Sequence, residues 1–111
     1  MRLLLDESLP RDLASAIPNV DARTVRQMGW TSVGNGELLR RAEDDGFDVF
    51  LTADRNLEYQ QNLATVGVGV IVLVAYSNRM EHLGPLVPAI VAALATIQPG
   101  AVIKVGTGER R

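Results

Sequence analysis

The sequence predicts an α/β domain built on a mostly parallel central sheet of about five strands. Two observations predict it. Short apolar runs such as Leu3, Leu4, Leu5 and Val49, Phe50, Leu51 alternate with helix-patterned stretches, which is the signature of βαβ units. The chain of 111 residues, 47% of them hydrophobic, is also long enough to bury one core without disulfides. A single domain is expected over 1–105, with a disordered tail over 106–111.

A first strand is expected over 2–6. Ser8 is expected to cap the following helix, with Pro10 in its first turn, where a missing N–H costs little, and Pro18 stopping it. A second strand over 21–25 reads through Ala22, Arg23, Thr24 and Val25. The glycines and small polar residues of 27–36 mark a loop. Asn35 is expected to cap a helix whose inward stripe is Leu38, Leu39 and Ala42 and whose end is marked by Gly46. A third strand follows over 48–52, then a polar helical piece over 58–64. The run Val70, Ile71, Val72, Leu73, Val74 is so continuously apolar that it reads as a strand covered on both faces, near the sheet centre. A helical segment over 77–97, broken near Gly84, Pro85 and Pro88, leads through Pro99 and Gly100 to a last strand over 102–105. There is no internal repeat, low-complexity tract or interdomain linker.

With no Cys, the chain carries no disulfide framework. Asp6 interrupts the first apolar run too early for a signal peptide, and the apolar stretch over 66–75 is too short to span a bilayer, so a soluble cytoplasmic protein with no membrane contact is expected. The formal charge of −2 argues against non-specific coating of nucleic acid. Ten of the eleven basic residues are nevertheless Arg, which suits bidentate phosphate contacts, although a GC-rich genome accounts for the bias equally well. A local patch is all that a nucleic-acid substrate requires.

Function is expected beyond the carboxyl ends of the strands, where open parallel sheets bind ligands. Asp6 and Asp54 end two apolar runs there, and Glu37 opens the middle helix. Three carboxylates sharing one edge repel one another unless a cation offsets them. Oxygen ligands with no Cys and a single His suit Mg2+ or Mn2+ rather than zinc. Such a site is suited to metal-dependent phosphoryl transfer or hydrolysis, in which the metal activates water and neutralises phosphate oxygens. Glu37 has an alternative role as an anion favoured by the helix dipole.

Three stretches carry a family resemblance: Leu3-Leu4-Leu5-Asp6-Glu7-Ser8-Leu9-Pro10, then Asn35-Gly36-Glu37-Leu38-Leu39 with Ala42, then Phe50-Leu51-Thr52-Ala53-Asp54-Arg55-Asn56-Leu57. Together they resemble the small PIN-like domains often placed among the toxins of toxin–antitoxin pairs, over roughly residues 2–105. The resemblance implies a PIN-like three-layer sandwich and Mg2+- or Mn2+-dependent endoribonuclease activity, with RNA as substrate and an antitoxin protein as partner. Carried over by position, Asp6, Glu37 and Asp54 are the catalytic and metal-binding acids. Many PIN nucleases have a further acid where this chain has Asn56, and the missing charge is worth about 4 kcal/mol at about 4 Å from an ion and an effective dielectric of about 20. Arg55, Asn56, Asn35 and Arg79 stand as candidate substrate contacts.

Two other readings use the same residues. A receiver-like phosphoacceptor domain would also place Asp6, Glu7, Asp54, Ser77 and Lys104 near strand ends, but Lys104 lies inside the last strand pattern instead of after it. A binding module that keeps the fold without the chemistry is favoured by Asn56. Trp30 reads first as a partly buried anchor and second as a base-stacking surface. His82 is expected to be solvated, as are the amide-rich turn around Tyr59, Gln60, Gln61 and Asn62 and the acidic run Glu43, Asp44, Asp45. The apolar excess of the last helix, from Leu86 to Ile97, suggests a homodimer contact or an antitoxin contact.

Overall fold

Leu3, Leu4 and Leu5 are completely buried in the first strand, β1 (Arg2–Leu5), of a computed structural model that describes residues 1–57 and 61–106. Four more strands follow: β2 (Asp21–Thr24), β3 (Val49–Thr52), β4 (Gly69–Val74) and β5 (Val102–Gly106). They pair in the order β2-β1-β3-β4-β5, and every pairing is parallel. Leu5 lies opposite both Thr24 and Leu51, and Thr52 opposite Val72, so the carboxyl ends of β1 and β3 are level. The chain passes from β1 outward to β2, then returns past β1 to β3. The β1/β3 boundary is therefore where the winding direction changes, which in open α/β sheets opens a crevice.

Successive strand residues join different hydrophobic clusters, as pleating requires. Leu3 and Leu5 pack with Leu13 of α1 (Arg11–Ala16), with Leu83 of α3 (Met80–Leu83) and with Ile90 and Leu94 of α4 (Val87–Leu94). Leu4 and Phe50 pack with Leu38, Leu39 and Ala42 of α2 (Asn35–Asp44), the inward stripe expected from the sequence. Among the described residues no helix is long and apolar enough to cross a membrane.

Local chemistry sets the helix ends, and in places it departs from expectation. Ser8 does not cap α1. The Leu9 N–H donates instead to the Asp6 carbonyl, and Pro10 takes the N-cap with an extended ψ of 145°, so it precedes the helix. Gly34 takes the N-cap of α2, and Asn35 becomes its first residue. At the other end Gly46 has φ +86°, the Gly46 N–H donates to Glu43 and the Phe47 N–H to Ala42, closing the helix by a Schellman motif. The expected helix over 77–97 is three pieces, α3, a 3-10 turn (Gly84–Leu86) and α4. Pro85 and Pro88 each lie in the first two positions of their piece, where a missing N–H leaves no bond unmade. The expected tail begins within β5 at Gly106, and 107–111 lie outside the described residues, as do 58–60 of the expected polar helix. Of that piece, Leu63–Thr65 forms a 3-10 turn.

The amino edge of the sheet is held by Arg2. Its guanidinium lies 4.1 Å over the Phe47 ring, pairs with Asp21 at 3.6 Å and with the Asp45 carboxylate at 3.3 Å, and donates to the Asp45 carbonyl. Its backbone N–H donates to Asp48 at 2.8 Å.

Candidate functional site

Asp6 is the first residue beyond β1, and its N–H still donates to the Leu51 carbonyl at 2.9 Å, so the end of β3 fixes its position. Beside it stands Thr52, fully buried at the end of β3. The Thr52 hydroxyl donates to Asp6 Oδ2 at 2.7 Å and accepts the Asp54 N–H at 3.0 Å. One side chain thus ties the two acids together. Asp6 Oδ1 accepts the Glu7 N–H at 2.8 Å. Asp54 Oδ2 accepts from the Asn35 amide at 3.2 Å, and Oδ1 accepts the Asn56 N–H at 2.9 Å in an Asx turn.

Each of these four oxygens has two lone pairs and spends one on the bond named here. Both carboxylates are only half-buried and keep further acceptor capacity. Asn35 explains its own displacement from the cap position, since its amide bridges α2 to Asp54 instead of folding back on the helix.

Glu37 does not join Asp6 and Asp54 in the same way. It lies in the first turn of α2, but its carboxylate pairs with Arg41 at 3.0 Å and with Arg40, one turn along the same helix. The hydrogen bond from Arg41, followed by that from Arg40, holds its carboxyl below the ordinary glutamate range. Among the described residues no three His, Cys, Asp or Glu side chains form a metal-sized group. The two carboxylates that Thr52 ties together are hard oxygen donors, the kind that Mg2+ and Mn2+ take. Asp6 and Asp54 would hold such an ion directly.

The other candidates surround this pair. Arg55 is exposed and donates from Nη2 to the Ala75 carbonyl at 3.4 Å, so it crosses from the end of β3 to the end of β4. Asn56 is exposed beside it. The Arg79 guanidinium pairs with Glu81 at 3.3 Å. Glu7 is committed elsewhere, because its Oε1 accepts the Ser32 N–H at 2.9 Å. It also lines a cavity of about 140 Å³ with Leu9, Arg11, Thr24, Arg26 and Gln27, along the carboxyl ends of β1 and β2.

Trp30 is an anchor, edge-on to Phe47 with ring centroids 6.2 Å apart and packed against the core. His82 is only partly exposed, contrary to expectation; its Nδ1 shares a 2.7 Å hydrogen bond with Ser77 Oγ, and its ring meets Tyr76 edge-on. Lys104 lies within β5 opposite Val72, two residues short of the strand's end, so the position a receiver lysine requires is not where this lysine stands.

Sequence reasoning passed over Thr52 and Tyr76. The signal for Thr52 was a lone hydroxyl closing an apolar strand two residues before an acid. Comparison with protein-family models, with curated proteins and with solved structures gave no match.

Proposed function

We propose that this protein is a metal-dependent endoribonuclease of PIN-like type, a three-layer α/β sandwich acting in the cytoplasm as the toxin of a toxin–antitoxin pair. Its substrate is RNA, and its partner is an antitoxin protein or a second copy of the chain. The observation that carries the reading is the pair of half-exposed carboxylates, Asp6 and Asp54, joined by the buried Thr52 hydroxyl where the winding of the sheet reverses.

Bound Mg2+ or Mn2+ would supply an activated water and offset charge on the phosphate oxygens. The protein's own contribution is orientation. Thr52 and Asn35 fix the acids before any ligand arrives, which spares reorganisation during the reaction. Arg55 offers a guanidinium to a phosphate one residue from Asp54, and Arg79 offers another across the neighbouring strand end. The Asn56 amide serves to position water or ligand without adding charge.

A second reading, a protein-binding module without catalysis, is favoured by Glu37 lying against Arg40 and Arg41 and by the amide at Asn56.

Mn2+ titration by calorimetry, on the wild type and on Asp54→Asn at near-physiological salt, separates the two. Binding that the substitution removes, followed by RNA cleavage that the substitution abolishes, supports the nuclease. Absence of binding to the wild type leaves the binding module, and full cleavage by Asp54→Asn rejects the acid site altogether.

A further inference from the structure

Among the described residues the large apolar side chains left in water are Met1 at 53%, Val91 at 40% and Tyr76 at 90%. Tyr76 is the outlier. It lies two residues beyond β4, on the carboxyl edge that also carries Asp54, and it has a fixed support in spite of its exposure. Its ring meets His82 edge-on with centroids 5.1 Å apart at 69°. His82 in turn shares a 2.7 Å hydrogen bond with Ser77, whose hydroxyl oxygen also accepts the Arg79 N–H at 3.1 Å. An aromatic ring that is 90% exposed and braced by a neighbouring ring is prepared for a flat partner, because little ordering remains to be done on binding.

Its surroundings narrow the partner. Arg55, the residue after Asp54, donates to the Ala75 carbonyl, immediately before Tyr76, so one guanidinium reaches from the end of β3 to the residue preceding the tyrosine. The remaining neighbours in the chain are Ser77, Asn78 and Arg79. This setting is polar and carries two guanidinium groups, one of them, that of Arg79, paired with Glu81 at 3.3 Å, whereas the centre of a protein interface is depleted of charge. A ring beside guanidinium groups is the combination that single-stranded nucleic acid uses, bases stacking on the aromatic face and the backbone meeting positive charge.

We propose that Tyr76 is a stacking platform for an unpaired RNA base and that Arg55 takes the adjoining phosphate, leading the strand toward Asp6 and Asp54. The proposal rests on the RNA reading above and adds to it the residue on which an unpaired base stacks; a duplex, whose bases are already stacked and out of reach, serves as the control.

The test is fluorescence anisotropy of the full chain with a labelled single-stranded RNA oligonucleotide of mixed sequence and with its duplex, in EDTA so that no cleavage occurs. Tyr76→Ala is expected to weaken single-strand binding roughly fivefold to a hundredfold. Tyr76→Phe is expected to retain it, because the ring and not the hydroxyl stacks, and Arg55→Gln to lower the dependence on salt by about one phosphate contact. Unchanged binding by Tyr76→Ala overturns the proposal, as does an equal loss in Tyr76→Phe, an equal loss on duplex, or no single-strand binding by the wild type. Stacking without metal-dependent cleavage would reject the nuclease and leave the platform. Cleavage with binding indifferent to Tyr76 would do the reverse.

Discussion

At Thr52 a single buried hydroxyl donates to one acid and accepts from the backbone of another, so its removal strands two polar groups at once. Thr52→Val, nearly isosteric, is expected to lower stability by about 1–3 kcal/mol in urea denaturation, with Thr52→Ser close to wild type. Glu37 gives a prediction in pH. Its carboxyl is held low by Arg41 and Arg40, so the folded state binds its proton less readily than the unfolded chain does. That contribution is complete above the ordinary glutamate pKa and is lost as pH falls through the lowered one. Glu37→Gln should therefore flatten the acid side of the melting-temperature profile and leave its alkaline side unchanged in slope. Asp6 and Asp54 were legible because each ends an apolar run. Thr52 was not, since a threonine in a strand also reads as an ordinary β-former. Nor was the direction of Glu37, which depends on arginines three and four residues along competing for its carboxylate.

α2 shows what decides an element's limits. Its stripe was readable from Leu38, Leu39 and Ala42, and its end from Gly46, where the positive φ excludes most side chains. Gly46→Ala is expected to cost about 1 kcal/mol by thermal or chemical denaturation while leaving metal binding alone, because the left-handed conformation penalises a Cβ. The starts of helices were harder to read. Ser8 and Asn35 both suit a cap by residue type, yet the tight turn from Asp6 to Leu9 bypasses the first, and the bond to Asp54 engages the second. The helix expected from 77 begins at Met80, because the Ser77 hydroxyl accepts the Arg79 N–H in a turn of its own. The strands β1, β3 and β4, by contrast, followed directly from apolar runs. Burial leaves such runs little choice.

The order of those strands was not in the runs at all. Pairing of β1 with β3 joins residues 46 apart in sequence, and no local pattern states that β2 lies outside it. That order nevertheless creates the site, since it makes Asp6 and Thr52 neighbours. It also predicts where the molecule opens last. β1, β3 and β4 are paired on both edges and buried, whereas among the described residues β2 and β5 have one partner each. Amide hydrogen exchange should be slowest in β1, β3 and β4 and faster in β2 and β5. Slow exchange confined to β2 or β5 would contradict this order. The Arg2 cluster and the acid pair lie at opposite ends of the same strands, so substitutions at Arg2 should lower stability without changing the affinity of the carboxyl edge for Mn2+ or RNA.

An open sheet has two free edges, each a row of backbone groups able to recruit a strand from another molecule. β2 has only four residues, two of which, Asp21 and Arg23, are exposed and ion-paired to each other at 2.8 Å. β5 carries the exposed charge of Lys104 at its midpoint. An incoming strand would have to strip water from these charges on either side. The chain therefore resists growing into a continuous intermolecular sheet, and raising its concentration should leave it dispersed instead of fibrous.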